Sequence, residues 1–254
     1  VATAAGRQVE VLIAADLAAG EPANGPSRFG LAGSPTTVTE IRTLRIERHG
    51  PVVSAADPDA IPRLVAFLLD RGLFGPGEGH PPSARPPLLR RAHPERSIWA
   101  IAELNDGRLR PISLELVGKA VDLADQVGGE AAAVLIGYGV AAHVKSLAAH
   151  GADRLYLADH PSLAQYSPEG YTAVLAAAIG AYRPWAVLVP ATAKGRDFAP
   201  RVAARLGLGL TGDCIGLEID AQGRLTQLKP AFGGNFVAPI LSRTFPQMTT
   251  VRPG

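Results

Sequence analysis

The side chains best placed to do chemistry cluster in the run Pro190-Ala191-Thr192-Ala193-Lys194-Gly195-Arg196-Asp197. It holds a hydroxyl, two cations, a glycine and a carboxylate where a hydrophobic strand hands over to a helix. Backbone N–H groups and the helix dipole at such a turn favour an anion, and Lys194 and Arg196 add positive charge. Thr192, Lys194, Gly195 and Arg196 are therefore the candidate contacts for a phosphate or nucleotide. Asp197 reads as the N-cap, with Pro200 in the first turn, where a missing N–H costs nothing. A plainer reading is open beside it: Asp197 caps the helix and Arg196 pairs with a neighbouring subunit.

Other turns carry less. Gly137-Tyr138-Gly139 is no full dinucleotide fingerprint. Asp159-His160 lacks a third member for acid–base work. Cys214 follows Asp213, but no histidine is near it in sequence and its apolar neighbours suggest a buried thiol. No catalytic triad, metal-ligand spacing or carboxylate pair stands out, so no catalytic or metal residue is assigned.

These residues must be positioned by regular elements. Ser97 to Leu104, Ala131 to Ile136, Arg154 to Ala158 and Trp185 to Val189 read as buried strands. Between and after them lie helical patterns: one capped by Ser113 and ended by Gly128-Gly129, Ala141 to His150, one opened by Ser167-Pro168, and Asp197 to Leu206 ended by Gly207. Continuous apolar strands alternating with helices predict an α/β fold, a doubly wound parallel sheet of the Rossmann-like type. From Thr211 the pattern becomes β. Cys214 to Ile219, Arg224 to Lys229 and Phe236 to Leu241 are strand-like, and Met248 to Val251 is a further short one, together a β extension on the sheet's edge.

Upstream, Gly75 to Pro94 holds six prolines and three glycines and reads as a linker. Before it, Val9 to Ala14 and Thr37 to Glu47 read as strands and Gly20 to Pro35 as loop. A helix opens at Asp57-Pro58 with Ile61, Leu64, Val65 and Leu68 on one face, stopped by Gly72. This piece has little core of its own and is expected to pack on something larger.

The chain has 254 residues, 47% hydrophobic and 19% charged, which excludes wholesale disorder. Lys+Arg 25 against Asp+Glu 23 gives a net charge of +2, too small for a nucleic-acid surface. No apolar run reaches the roughly 18 residues that span a bilayer. The single cysteine excludes an intramolecular disulfide, and the N-terminus lacks the zones of a secretory signal. A soluble protein of the cytoplasm is the simplest expectation. The first residue is Val1, so processing or truncation stays open.

Several ordered segments resemble the electron transfer flavoprotein α subunit. They are Ser97-Ile98-Trp99-Ala100-Ile101-Ala102-Glu103, the run Gly107 to Leu116, Gly195-Arg196-Asp197-Phe198-Ala199-Pro200 continuing to Leu206, and Thr211-Gly212-Asp213-Cys214. Leu217 to Asp220, Pro230 to Asn235 and Pro246 to Gly254 complete the match over 97–254. Ala14 to Leu17, Gly30 to Val38 and the helix from Ile61 to Leu73 resemble the C-terminal arm of that family's β subunit.

The resemblance implies an adenine nucleotide α-hydrolase-like fold and three parts: a β-type arm at 1–74, a Pro-rich linker at 75–96 and an α-type domain I at 97–254. The FAD-binding domain II and the β-subunit body have no counterpart in the chain. The complete protein would be a carrier and not an enzyme. It would use FAD, with AMP or a second FAD in its β part, to pass electrons from acyl-CoA or other dehydrogenases to a quinone oxidoreductase or similar acceptor. This chain would be its scaffold, partnered by the β body and the FAD domain, without nucleic acid or membrane insertion. The alternatives are an AMP- or FAD-binding module of the same fold, held at Thr192 to Asp197, and a bare assembly fragment.

Overall fold

The structure, a computed structural model, describes residues 2–4, 7–9, 34–43, 57–70, 92–93, 95–231 and 236–254. Most of the 9–14 strand, the 20–35 loop and the linker, the stop at Gly72, and the 14–17, 30–33 and 232–235 resemblance segments lie outside them.

Six strands form one fully parallel sheet: β5 (Ser97–Ala102), β8 (Glu130–Gly137), β9 (Arg154–Asp159), β10 (Ala186–Pro190), β11 (Leu210–Cys214) and β15 (Gln247–Val251). Their order is β11-β15-β10-β5-β8-β9. Strand β5 alternates between two cores. Ile98, Ala100 and Ala102 face one, Trp99 and Ile101 the other, and all five are buried. That is why the run reads as continuously apolar: both faces are covered.

The first face is covered by α2 (Pro111–Val127) through Leu116, Ala120 and Leu123, and by Leu147 of α3 (Val144–Ala149). The second is covered by Leu175 and Ile179 of α4 (Pro168–Tyr182) and by Phe198 and Val202 of α5 (Ala193–Leu206). The doubly wound expectation holds. Gly128 and Gly207 end α2 and α5 with φ of 67° and 65°, left-handed positions that favour glycine.

Several local expectations are corrected. The final strand is not part of an edge extension: β15 lies inside the parallel sheet between β10 and β11. The strand expected from Cys214 is divided. β11 ends at Cys214 in the parallel sheet, and β12 (Gly216–Ile219) begins a second, antiparallel sheet with β13 (Leu225–Ala231) and β14 (Phe236–Ser242). Helix α2 starts at Pro111 without a side-chain cap. Ser113 instead bonds the backbone of Glu103, accepting from its N–H at 2.8 Å and donating to its carbonyl at 3.1 Å. The 141–150 helix is a 3-10 turn over Val140–His143 followed by the short α3.

The upstream segment contributes edge strands. β3 (Thr36–Val38) and β4 (Arg42–Thr43), separate pieces of the 37–47 expectation, pair antiparallel with β14. β1 (Ala2–Ala4) and β2 (Arg7–Val9) pair with each other, and β6 (Leu104–Asn105) forms a hairpin with β7 (Arg108–Leu109). Helix α1 (Ala60–Asp70) carries the expected stripe. Among the described residues that stripe is open, with Ile61 73% exposed.

Candidate functional site

Chain order reverses direction between β5 and β10. Strands β5, β8 and β9 step outward on one side, and α4 then carries the chain back to β10 on the other side of β5. In such sheets the crevice at the C-terminal ends of the two diverging strands is the usual ligand position. Here β5 delivers Glu103 to that point and β10 delivers Thr192.

Thr192 is the N-cap of α5. Its Oγ1 accepts the Gly195 N–H at 3.0 Å, and its hydroxyl donates to Glu103 Oε2 at 2.5 Å. The helix therefore starts four residues earlier than the sequence suggested. Asp197 lies inside it as a surface residue, accepting from the Tyr166 hydroxyl at 2.7 Å and from Arg201 at 3.2 Å. Those hydrogen bonds, the tyrosine's first, hold the Asp197 carboxyl below the usual carboxylate range. Burial and the same bond push the Tyr166 hydroxyl upward. Pro200 consequently sits in the helix interior, where it has no N–H to donate to the Arg196 carbonyl.

The remaining candidates are all engaged within the chain. Lys194 Nζ donates to the Leu104 carbonyl at 2.9 Å. A Cβ at Gly195 would collide with the Pro190 carbonyl oxygen, so α5 and β10 meet through its missing side chain. Arg196 forms a two-pronged pair with Asp213 at 2.9 and 3.0 Å, inside the same chain rather than across a subunit boundary.

Sequence reasoning missed Glu103 and Arg110. Glu103 is buried, and its other oxygen takes a 3.0 Å bond from Arg110. It thus supplies a carboxylate at the place where a ligand's phosphate would sit. The signal was present: one acid closes an apolar strand at its C-terminal end. The cavity beside it, lined by Glu103, Tyr171, Lys194 and Phe198 among others, has a volume of about 20 Å³. That is room for about one water molecule. Burial, followed by the Glu103 charge, raises the Tyr171 hydroxyl. A phosphate or flavin does not fit this arrangement as it stands: the space is too small and the resident charge has the wrong sign.

The other candidates resolve as structure. Asp159 Oδ1 accepts the Gly139 N–H at 2.8 Å, tying the ends of β9 and β8 together. The His160 ring caps the turn after β9 through the Ser162 N–H at 3.2 Å. Cys214 is fully buried, and burial pushes its thiol up to about 11. Among the described residues no group of three or more His, Cys, Asp or Glu side chains is arranged to hold a metal. No described helix is long and apolar enough to cross a membrane.

Known proteins place this architecture. The electron transfer flavoprotein domain family matches residues 98–254. The electron transfer flavoprotein subunit alpha of Thermoanaerobacterium thermosaccharolyticum is 46% identical over 160 residues, covering 63% of this chain and 48% of that protein. Protein FixB of Rhizobium meliloti is 40% identical over 163 residues, 62% of this chain and 46% of the relative. The acryloyl-CoA reductase electron transfer subunit beta of Anaerotignum propionicum is 36% identical over 183 residues, 63% and 50% respectively. The matched region spans about half the length of these relatives. With its switch-point strands and the α5 turn inside the matched residues, the chain belongs to the electron transfer flavoprotein domain family.

Proposed function

We propose that this chain is the scaffold portion of an electron transfer flavoprotein: an α-type domain I (97–254) carrying a β-type arm (1–74) through the 75–96 linker. The complete protein takes electrons from acyl-CoA or other dehydrogenases and gives them to a quinone oxidoreductase or similar acceptor. The electrons reside on FAD held by the second α domain and the β body, with AMP or a second FAD in the β part. This chain's own role is mechanical, as a rigid base that seats those parts in the cytoplasm, without catalytic residues of its own.

One observation carries the reading. The position where this fold receives a ligand is filled by the chain's own Glu103, clamped by Thr192 and Arg110. A carrier places its chemistry in a cofactor and leaves binding and orientation to protein, and here the crevice serves packing.

The test is the visible absorption of the purified 254-residue chain, with FAD and AMP titrated by calorimetry. The scaffold reading expects a colourless protein and no FAD binding. Flavin bands on this polypeptide alone would sink it. The second reading, a nucleotide module at Thr192, Lys194, Gly195 and Arg196, draws on the convergence of these residues at one helix N-terminus. Saturable AMP binding lost on Arg196→Ala would favour it.

A further inference from the structure

Three aromatic rings lead from the core of the sheet's second face to the surface. Trp99 of β5 is fully buried, Tyr156 of β9 is half-buried, and Tyr182, the last residue of α4, is 59% exposed. The ring centres lie 4.7 Å apart for Trp99 and Tyr156, 4.6 Å for Tyr156 and Tyr182, and 6.2 Å for Trp99 and Tyr182. All three pairs are in direct aromatic contact. Packing does not by itself call for the outer ring, because a side chain left this exposed adds little to the core.

The buried end has a place for a proton. The Trp99 indole N–H donates to Ser97 Oγ at 3.2 Å, and the Ser97 hydroxyl donates to Glu130 Oε1 at 3.0 Å. Arg154 pairs with the same carboxylate at 3.1 Å. An indole that loses an electron becomes a radical cation whose N–H is acidic, and this N–H leads through one hydroxyl to a carboxylate. The two tyrosines differ. Burial raises the Tyr156 hydroxyl, so that phenol keeps its proton. The Tyr182 ring reaches solvent, where its phenol can give a proton to water. Oxidation of a tyrosine goes with loss of that proton, so Tyr182 is where an oxidising equivalent comes to rest.

We propose that Trp99, Tyr156 and Tyr182 form a one-electron path that carries oxidising equivalents out of the core. A one-electron oxidant of the oxygen-radical class takes one electron from Trp99. Tyr182 supplies an electron to the indole, directly or through the Tyr156 ring, and releases its phenolic proton to water. The phenoxyl radical left at the surface takes one electron and one proton from a soluble thiol or ascorbate and is restored. The net result is one electron passed from reductant to oxidant, with the protein unchanged. This function is separate from the scaffold reading and needs no flavin on the chain.

The experiment is flash photolysis of the whole chain carrying Trp185→Phe, which leaves Trp99 as its one tryptophan. Excitation is at the red edge of indole absorption, where tyrosine is transparent, and a viologen in solution takes up the ejected electron. Transient absorption should show the tryptophanyl radical converting to a tyrosyl radical that ascorbate quenches. Tyr182→Phe keeps the ring and its stacking but removes the phenol. Most of the tyrosyl yield should be lost in that variant, and the tryptophanyl radical should live longer. Tyr156→Phe should slow the conversion, whereas Tyr138→Phe, a change at an exposed tyrosine outside the path, should leave rate and yield unaltered. If Trp185→Phe fails to fold, the same comparison is made in the parent chain. Absence of a tyrosyl radical would overturn the proposal. So would a tyrosyl yield that Tyr182→Phe leaves unchanged, and an unchanged rate in Tyr156→Phe would remove that ring from the path.

Discussion

Glu103 at the end of β5 accepts a 2.5 Å hydrogen bond from Thr192 at the end of β10, across 89 residues of sequence. The bond closes the sheet's switch point from within. The same threonine caps α5, so one side chain ties a strand end, a helix start and a buried carboxylate together. Glu103 in turn holds Arg110 at the start of α2. Both helical layers are thereby fastened to the centre of the sheet.

Thr192→Ala removes the cap and strips Glu103 of one partner. Losing a cap costs about 1 kcal/mol, and weakening a buried polar contact about 1 kcal/mol more. Urea unfolding should show a loss of about 2 kcal/mol, while Thr192→Ser, which keeps the hydroxyl, should stay within about 0.5 kcal/mol of the parent.

Glycines in helices α2 and α5 divide sharply. Gly195→Ala drives a methyl into the Pro190 carbonyl, so α5 must lift from β10. A loss of about 3 kcal/mol or more is expected, read as poor soluble yield or a lowered Tm. At Gly118 in α2, an added methyl would meet nothing within 4 Å. Gly118→Ala should therefore raise stability by about 0.5–1 kcal/mol through helix propensity.

The Cys214 thiol should resist thiol reagents in the folded chain. Its pKa is pushed up to about 11 by burial, against 9.0 ordinarily. At pH 8 about one thiol in a thousand is then ionised, and access is closed as well. Labelling should follow unfolding only. Linkage adds a stability effect: the unfolded thiol ionises near 9 and the folded one near 11. The contribution is full below pH 9 and is lost as pH rises toward 11, by at most about 1.4 kcal/mol per unit. Cys214→Ala should remove that alkaline loss. Labelling of the native chain as fast as of the urea-unfolded chain would contradict this account.

Tyr166→Phe removes the main bond holding the Asp197 carboxyl down. The Asp197 titration, followed by carboxyl NMR, should move upward toward the ordinary aspartate range. A lowered folded pKa stabilises above the unfolded value and is lost as pH falls through the folded one. The variant should therefore lose less stability than the parent on acidification. An unmoved Asp197 titration would show that Arg201 alone sets it.

The local pattern of residues determined the elements and their faces. The alternation of Ile98, Trp99, Ala100 and Ile101 already implies two cores, and Gly128 and Gly207 mark helix ends because a left-handed cap favours glycine. The Thr192–Arg196 run was legible as a strand-to-helix turn, but the identity of its capping residue was not. Both Thr192 and Asp197 are good caps, and only the Glu103 carboxylate beside Thr192, brought there by the sheet, selects between them. Likewise Ser113 looks like a cap until β5 places the Glu103 backbone within reach. The seating of β15 between β10 and β11, and of β3 and β4 against β14, was decided by the tertiary structure alone. Period and propensity act over a few residues, whereas strand order depends on which distant apolar faces and backbone edges satisfy one another once the chain has closed.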